Sequence, residues 1–335
     1  MQAAIYGVEA LELNASERSF FRDADPAGFI LFKRNCETRD QLQRLTDSLR
    51  DLTGRADLPI LIDQEGGRVA RMKPPEWPAF PCGEKFALLY QAAPSSAIEA
   101  VRANARAIAL MLRSVGVNVD ALPLLDVRQE GASDIIGDRA LGSEPMQVAA
   151  LGRAVLDGLA SAGVVGIVKH MPGHGRALVD SHKELPVVTA SAEELDTDLE
   201  PFERLAWAPI GMTAHVVYTA WDPERPASMS PTVIRDIIRE RIGFGGFLMS
   251  DDIGMEALEG DFGSRAAGVV AAGCDVALHC SGKMDEMTAV AGAVPKLSAE
   301  GEERLARAIA TTMVESEGPD FAEAIATRDT LLALA

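Results

Sequence analysis

The sequence has no paired-cysteine motif, no membrane-length apolar run, no excess of basic residues and no low-complexity tract. Its four cysteines (Cys36, Cys82, Cys274 and Cys280) are far apart, and none belongs to a Cys-x-x-Cys pair. A disulfide-stapled scaffold is therefore excluded, and a reducing compartment fits. No apolar run approaches the roughly 20 residues that span a bilayer. The opening residues MQAAIYG carry neither a basic region nor a long apolar core. A signal peptide is not expected, and a cytoplasmic location is. Lys and Arg number 32 against 50 Asp and Glu, a net charge of −18. Nucleic acid and anionic membrane surfaces are polyanions, so neither is expected as a partner. No Pro/Ser-rich linker divides the chain and no internal repeat is evident. The expectation is one domain over residues 1–335, acting as a monomer. With 47% apolar and 24% charged residues, the composition is that of an ordinary folded protein.

What the chain does have is alternation. Eight short apolar runs stand out: 4–8, 28–32, 59–63, 117–122, 165–170, 209–215, 246–251 and 275–279. Most are continuously apolar, as strands buried on both faces are. Helical patterns separate them. Leu42, Leu45, Leu49 and Leu52 recur at steps of three and four behind Thr38, with Gln41 placed to complete a capping box. Ile98, Val101, Ala105, Ile108 and Leu112 form a second stripe, and Val148, Leu151, Val155 and Leu159 a third. Ser191 with Glu194 opens another helix, and Ser230-Pro231 places proline where a helix begins. Strand and helix alternating eight times predict an α/β fold, a single-domain (β/α)8 TIM barrel, rather than an open doubly wound sheet. From about Ser298 the tail reads as one or two helices packed on the barrel exterior.

In a parallel barrel the chemistry lies at the strand C-termini. Five runs end in unusual polarity: Asp63-Gln64-Glu65, Asp120, Lys169-His170, His215 and Ser250-Asp251-Asp252. An ionisable group at such depth costs desolvation energy unless it is paired or used. Singly, each could be a helix cap or a hydrogen-bonded core residue; five on one rim indicate a site. Glu65, Gly66 and Gly67 read as turn residues, and Asp126 as a loop tie. Asp252 reads as a cap, His174 as ordering its own loop, and His215 and His279 as structural.

The densest stretch runs from Lys169 to His182 and holds three of the five histidines. His170 and His174 have the spacing of two zinc ligands on a helix, with His182 as a third. But Pro172, Gly173 and Gly175 would break that helix, and the Glu such a motif needs after its first His is absent. A loop carrying an acid/base group accounts for the prolines and glycines better. Asp180 and His182 are two apart and face the same way in an extended segment. A carboxylate beside an imidazole fixes its tautomer and favours the imidazolium.

Lys169-His-Met-Pro-Gly-His-Gly175 followed by Asp180-Ser-His182 resembles the signature of family 3 glycoside hydrolases. Asp63-Gln-Glu-Gly-Gly-Arg-Val-Ala-Arg71 and Ser250-Asp-Asp-Ile-Gly-Met255 are two further blocks of its bacterial β-N-acetylhexosaminidase branch, and Ile136-Gly-Asp-Arg-Ala140 and Lys33-Arg-Asn35 are weaker ones. The blocks keep the family's order from near residue 5 to near residue 280. Beyond Asp252 the chain departs from the pattern, with Ile253-Gly254 where Leu and a polar residue are expected.

The resemblance implies a barrel that removes terminal, non-reducing β-linked N-acetylglucosamine with retention of configuration. It implies Asp251 as nucleophile, His182 as general acid/base and Asp180 as its orienting partner. Asp63, Arg71, Arg139, Lys169 and His170 would bind the sugar. The partner would be a small carbohydrate, a muropeptide fragment in cell-wall recycling, with no cofactor and no metal.

Rival readings are a β-glucosidase or xylosidase of the same family, and a zinc hydrolase built on His170, His174 and His182. A third is a chitinase-like enzyme using Asp196-Thr-Asp198-Leu-Glu200, although that stretch reads as an exposed helical face. A fourth is a non-catalytic sugar-binding barrel.

Overall fold

The computed structural model describes residues 1–181, 184–313 and 318–334. Eight parallel strands close into a barrel: β1 (Gln2–Gly7), β2 (Pro26–Leu31), β3 (Ile60–Ile62), β4 (Val119–Asp120), β5 (Val165–Met171), β6 (Ile210–Thr213), β7 (Phe247–Asp252) and β8 (Val276–His279). Each pairs with its sequence neighbours, and β1 closes on β8. Every apolar run singled out above supplies one strand.

Period-two geometry divides the strand residues between two cores. Ala3, Ile5, Leu61, Val165, Ile167, Phe247 and Met249 point into the barrel, whereas Ala4, Tyr6, Ile60, Ile62, Val168 and Leu248 pack outward beneath the helices. The helix Arg39–Thr53 is capped by Thr38, whose hydroxyl accepts from Gln41 N. The expected reciprocal bond goes one residue further back, Gln41 Oε1 accepting from Glu37 N at 3.0 Å. The Ser191–Glu194 capping box forms as expected. All four cysteines are free thiols. Among the described residues no helix is long and apolar enough to cross a membrane.

The tail differs from expectation in its first half. Helix Ala299–Ala310 does not lie on the exterior; Leu297, Leu305, Ala308 and Ile309 join the interior cluster with Ala3, Ile5 and Phe247. It closes the N-terminal end of the barrel, which would otherwise expose an apolar interior to water. Helix Phe321–Leu332 does pack outside, against Pro94–Arg113. With its floor plugged, the barrel opens only at the strand C-termini.

Candidate active site

At that C-terminal end lies a cavity of about 260 Å³ lined by Asp63, Glu65, Arg71, Arg139, Lys169, His170, His174, Ser181, Asp251 and Asp252 among others. Strand phase accounts for four of these. Asp63 and Glu65 continue the inward series begun by Leu61, Lys169 continues Val165 and Ile167, and Asp251 continues Phe247 and Met249. Two residues break phase. Val168 and Met171 of β5 pair with Gly211 and Thr213 of β6, three residues against two. Likewise Met249 and Asp252 of β7 pair with Val276 and Leu278 of β8. Each shift inserts one extra residue, a bulge that re-aims the strand end. His170 and Asp252 therefore reach the cavity beside their neighbours Lys169 and Asp251.

One wall is a compact ion cluster. Lys169 Nζ lies 2.6 Å from Glu65 Oε1 and 3.4 Å from Asp63 Oδ1. Arg139 grips Glu65 with two bonds of 2.7 and 2.8 Å, and Arg71 Nη2 sits 2.7 Å from Asp63 Oδ2. The Lys169 and Glu65 side chains are only 3% and 4% exposed. Burial would raise the Glu65 carboxyl, but Lys169 and Arg139 overcome it and bring it down to about 2. Asp63 is likewise held below the usual carboxylate range, Lys169 and Arg71 outweighing its burial. Against its own burial, Lys169 is held above the usual range by Glu65 and Asp63. The cluster is thus fully ionised across neutral pH.

Local structure delivers each member. Gln64 points away from the cavity, and its Oε1 accepts from Arg71 N and Met72 N, both at 3.0 Å, which seats the Arg71 backbone. The Arg71 guanidinium stacks 4.9 Å over the Phe32 ring. Arg139 ends a 3₁₀ turn (Gly137–Arg139) held by Arg68, which binds Asp138 and the Ile135 carbonyl, each at 2.8 Å.

The loop after β5 starts from Asp126. This fully buried carboxylate accepts from His170 N (3.1 Å) and His174 N (2.7 Å) on Oδ1 and faces His170 Nδ1 at 2.7 Å with Oδ2. Gly175 runs so close to the neighbouring loop that a Cβ would stand 1.9 Å from Val127 O, so no other residue fits. His174 Nε2 meets Ser181 Oγ at 3.1 Å. Burial and the nearby His170 bring the His174 imidazole down to about 4, neutral under ordinary conditions. Arg176 ties the loop to helix Ala192–Arg204 through Asp198, at 2.6 Å. Asp198 is therefore not part of an exposed acidic face: it is buried, and burial pushes its carboxyl up to about 6 against the pull of Arg176.

Asp63, Arg71, Arg139, Lys169, His170 and Asp251 all line the one cavity. Asp180 is half-buried next to Ser181, which lines it. His182 lies outside the described residues. Asp251 Oδ1 accepts from the backbone N of Asp252 at 2.8 Å. Asp252 accepts from Gly254 N and Cys280 N, the capping role expected of it, and its carboxyl is raised by burial and by the adjacent Asp251 charge. Ile253 is fully buried, so the departure at 253–254 extends the core and caps the turn. His215 is structural, held between Ser228 Oγ and Asp252 O at 2.7 and 3.0 Å. Among the described residues no three His, Cys, Asp or Glu side chains are gathered to hold a metal ion.

Glu65 and Asp126 do more than the sequence reading allowed. Glu65 is the anion shared by Lys169 and Arg139 rather than a turn residue. Its phase with Leu61 and Asp63 was the signal that could have found it. Asp126 carried no such signal, because its partners lie 44 and 48 residues away.

A closed parallel barrel with a polar cavity at its strand C-termini is the architecture of a TIM-barrel enzyme. The model of the glycosyl hydrolase family 3 N-terminal domain matches residues 3–312, and the chain belongs to that family. Proteins similar to it include beta-hexosaminidases. It is 40% identical to a beta-hexosaminidase of Xylella fastidiosa (strain 9a5c), over 86% of this chain and 87% of the relative. It is 38% identical to one of Aromatoleum aromaticum, over 82% and 78%. The crystal structure of NagZ from Neisseria gonorrhoeae in complex with N-trifluoroacetyl-D-glucosamine superposes with a TM-score of 0.86 at 30% identity, covering 99% of this chain and 98% of that one. Within the family, then, the chain is a β-N-acetylhexosaminidase-type glycoside hydrolase.

Proposed function

We propose that the chain is a retaining exo-β-N-acetylglucosaminidase that works through a covalent glycosyl-Asp251 intermediate. The observation that carries this reading is that Asp251 shares one closed-floored cavity with the Asp63–Arg71–Lys169–Glu65–Arg139 cluster. Such a cavity takes one sugar end-on. Asp63 accepts from ring hydroxyls, Arg71, Arg139 and Lys169 donate to hydroxyl and acetamido oxygens, and His170 also contacts the sugar. The N-acylated glucosamine held by the gonococcal NagZ supports the sugar class.

In the first step the Asp251 carboxylate attacks the anomeric carbon while imidazolium His182 protonates the departing oxygen. The glycosidic bond breaks and a glycosyl ester forms. In the second step neutral His182 takes a proton from water, the water oxygen attacks the anomeric carbon, and the ester bond breaks to restore Asp251. Asp180 orients the imidazole and stabilises its charged form. The natural substrate in this reading is a muropeptide fragment met in the cytoplasm during cell-wall recycling, cleaved by a monomeric enzyme.

The test is hydrolysis of chromogenic β-glycosides. N-acetylglucosaminide should be cleaved and glucoside or xyloside far more slowly, with the β-anomer of the free sugar as first product. Preference for glucoside, or the α-anomer first, would overturn the assignment. Activity should survive a strong chelator, since among the described residues no three His, Cys, Asp or Glu side chains are gathered to hold a metal ion; loss that zinc restores would favour the metal reading. Recovery of the native protein outside the inner membrane would remove the cytoplasmic role.

His182→Ala should cost about 10²–10⁴-fold on a substrate whose leaving alcohol needs a proton. The first step should be spared with a dinitrophenyl leaving group, which departs unaided. Equal losses on both substrates would count against His182 as proton donor.

A further inference from the structure

We infer that Asp126 is a positioning residue for the hydrolysis, holding His170 in the tautomer and direction in which its Nε2 meets the sugar. This rests on the reading that His170 contacts substrate. The argument begins from a surplus of bonding. Tying down the loop requires only the two backbone N–H groups of His170 and His174, and Oδ1 alone takes both. Oδ2 is spent on the His170 ring, 2.7 Å from Nδ1. An ionised carboxylate can only accept, so Nδ1 must carry the hydrogen. Nε2 is then left for the cavity that His170 lines, an acceptor in the neutral ring and a donor in the imidazolium.

Asp126 is fully buried, so no water competes for Oδ2. Although burial would raise its carboxyl, His170 and His174 hold it well below the usual range, which keeps it an acceptor. The same carboxylate reaches the acid/base side of the site. His174, seated on Oδ1 through its backbone, passes the constraint to Ser181 through its ring. One anion thereby sets the sugar-binding imidazole and the start of the loop that runs to Asp180.

Asp126→Asn separates the two roles. Its amide oxygen can still accept both backbone N–H groups, but its NH₂ now faces Nδ1 and can only donate. The neutral His170 ring must then place its hydrogen on Nε2. Nitrogen-15 NMR of the histidine-labelled, ligand-free protein reads this directly, with His170 assigned by its loss in His170→Ala. Wild type should show His170 protonated on Nδ1, in the neutral ring or the imidazolium, and Asp126→Asn should shift the hydrogen to Nε2. A neutral Nε2–H ring in wild type would overturn the proposal even if the variant failed to fold.

Kinetics supply the second arm. Asp126→Asn should lower kcat/KM on the chromogenic N-acetylglucosaminide by about 10- to 100-fold, as loss of an orienting partner does at other histidine sites. In a His170→Ala background the same change should cost less than about threefold, because the group it acts through is gone. Equal losses in both backgrounds would show a purely structural residue and sink the inference. If wild type failed to cleave the N-acetylglucosaminide at all, the proposed function would fall, while the NMR arm would still decide whether Asp126 sets the ring.

Discussion

Asp251→Ala is expected to lower kcat on an activated N-acetylglucosaminide by at least about 10³-fold, on the order of 4 kcal/mol of transition-state stabilisation, with the thermal midpoint close to wild type. The size follows from the role. A nucleophile divides one hard displacement into two easier ones, and the cavity offers no other inward carboxylate in the same position. Asp63 and Glu65 are already neutralised by Arg71, Lys169 and Arg139. Asp252 is engaged by two backbone N–H groups and is raised by burial and by the Asp251 charge itself. The fold should tolerate the loss because Ser250 and Ile253 keep β7 attached to β8 through Leu278. Mass spectrometry after reaction with a fluorinated N-acetylglucosaminide should find the sugar on Asp251. A label on any other side chain, or an Asp251→Ala enzyme within tenfold of wild type, would remove the covalent mechanism.

Glu65→Ala should produce the largest loss of stability, about 3–5 kcal/mol, because it strands two buried cations. Lys169 would keep only the 3.4 Å contact with Asp63, and Arg139 would lose both of its bonds to a carboxylate. Activity should fall with stability, since both cations line the sugar cavity. The cluster also sets a pH dependence whose sign can be worked out. Glu65 titrates at about 2 in the folded protein and near 4.3 when unfolded. Its folded pKa is depressed, so its contribution is fully present above the unfolded value and is lost as pH falls from about 4.3 toward 2. Urea midpoints measured across that window should decline more steeply for wild type than for Glu65→Ala. Parallel slopes, or a midpoint unchanged by the substitution at pH 7, would show that the cluster does not hold the site together.

Much of this molecule is legible in its amino-acid sequence. All eight strands coincide with the apolar runs. The inward positions of the site follow from simple alternation: Leu61, Asp63 and Glu65; Val165, Ile167 and Lys169; Phe247, Met249 and Asp251. Those features are local, because a strand's period of two and a helix's capping chemistry are properties of a few adjacent residues.

What tertiary structure alone decided is non-local. The bulges that add His170 and Asp252 to the cavity depend on the register of β5 against β6 and of β7 against β8, which no single strand encodes. Arg139 meets Glu65 across 74 residues, and Asp126 meets His170 across 44. The tail helix, amphipathic in sequence, could have covered the outside; only the open floor of the closed barrel determined that Leu305 and Ile309 fill it. Local sequence sets which way a side chain points. What it points at is set by which distant segment has already filled the space, because burial and ion pairing are energies of the assembled whole.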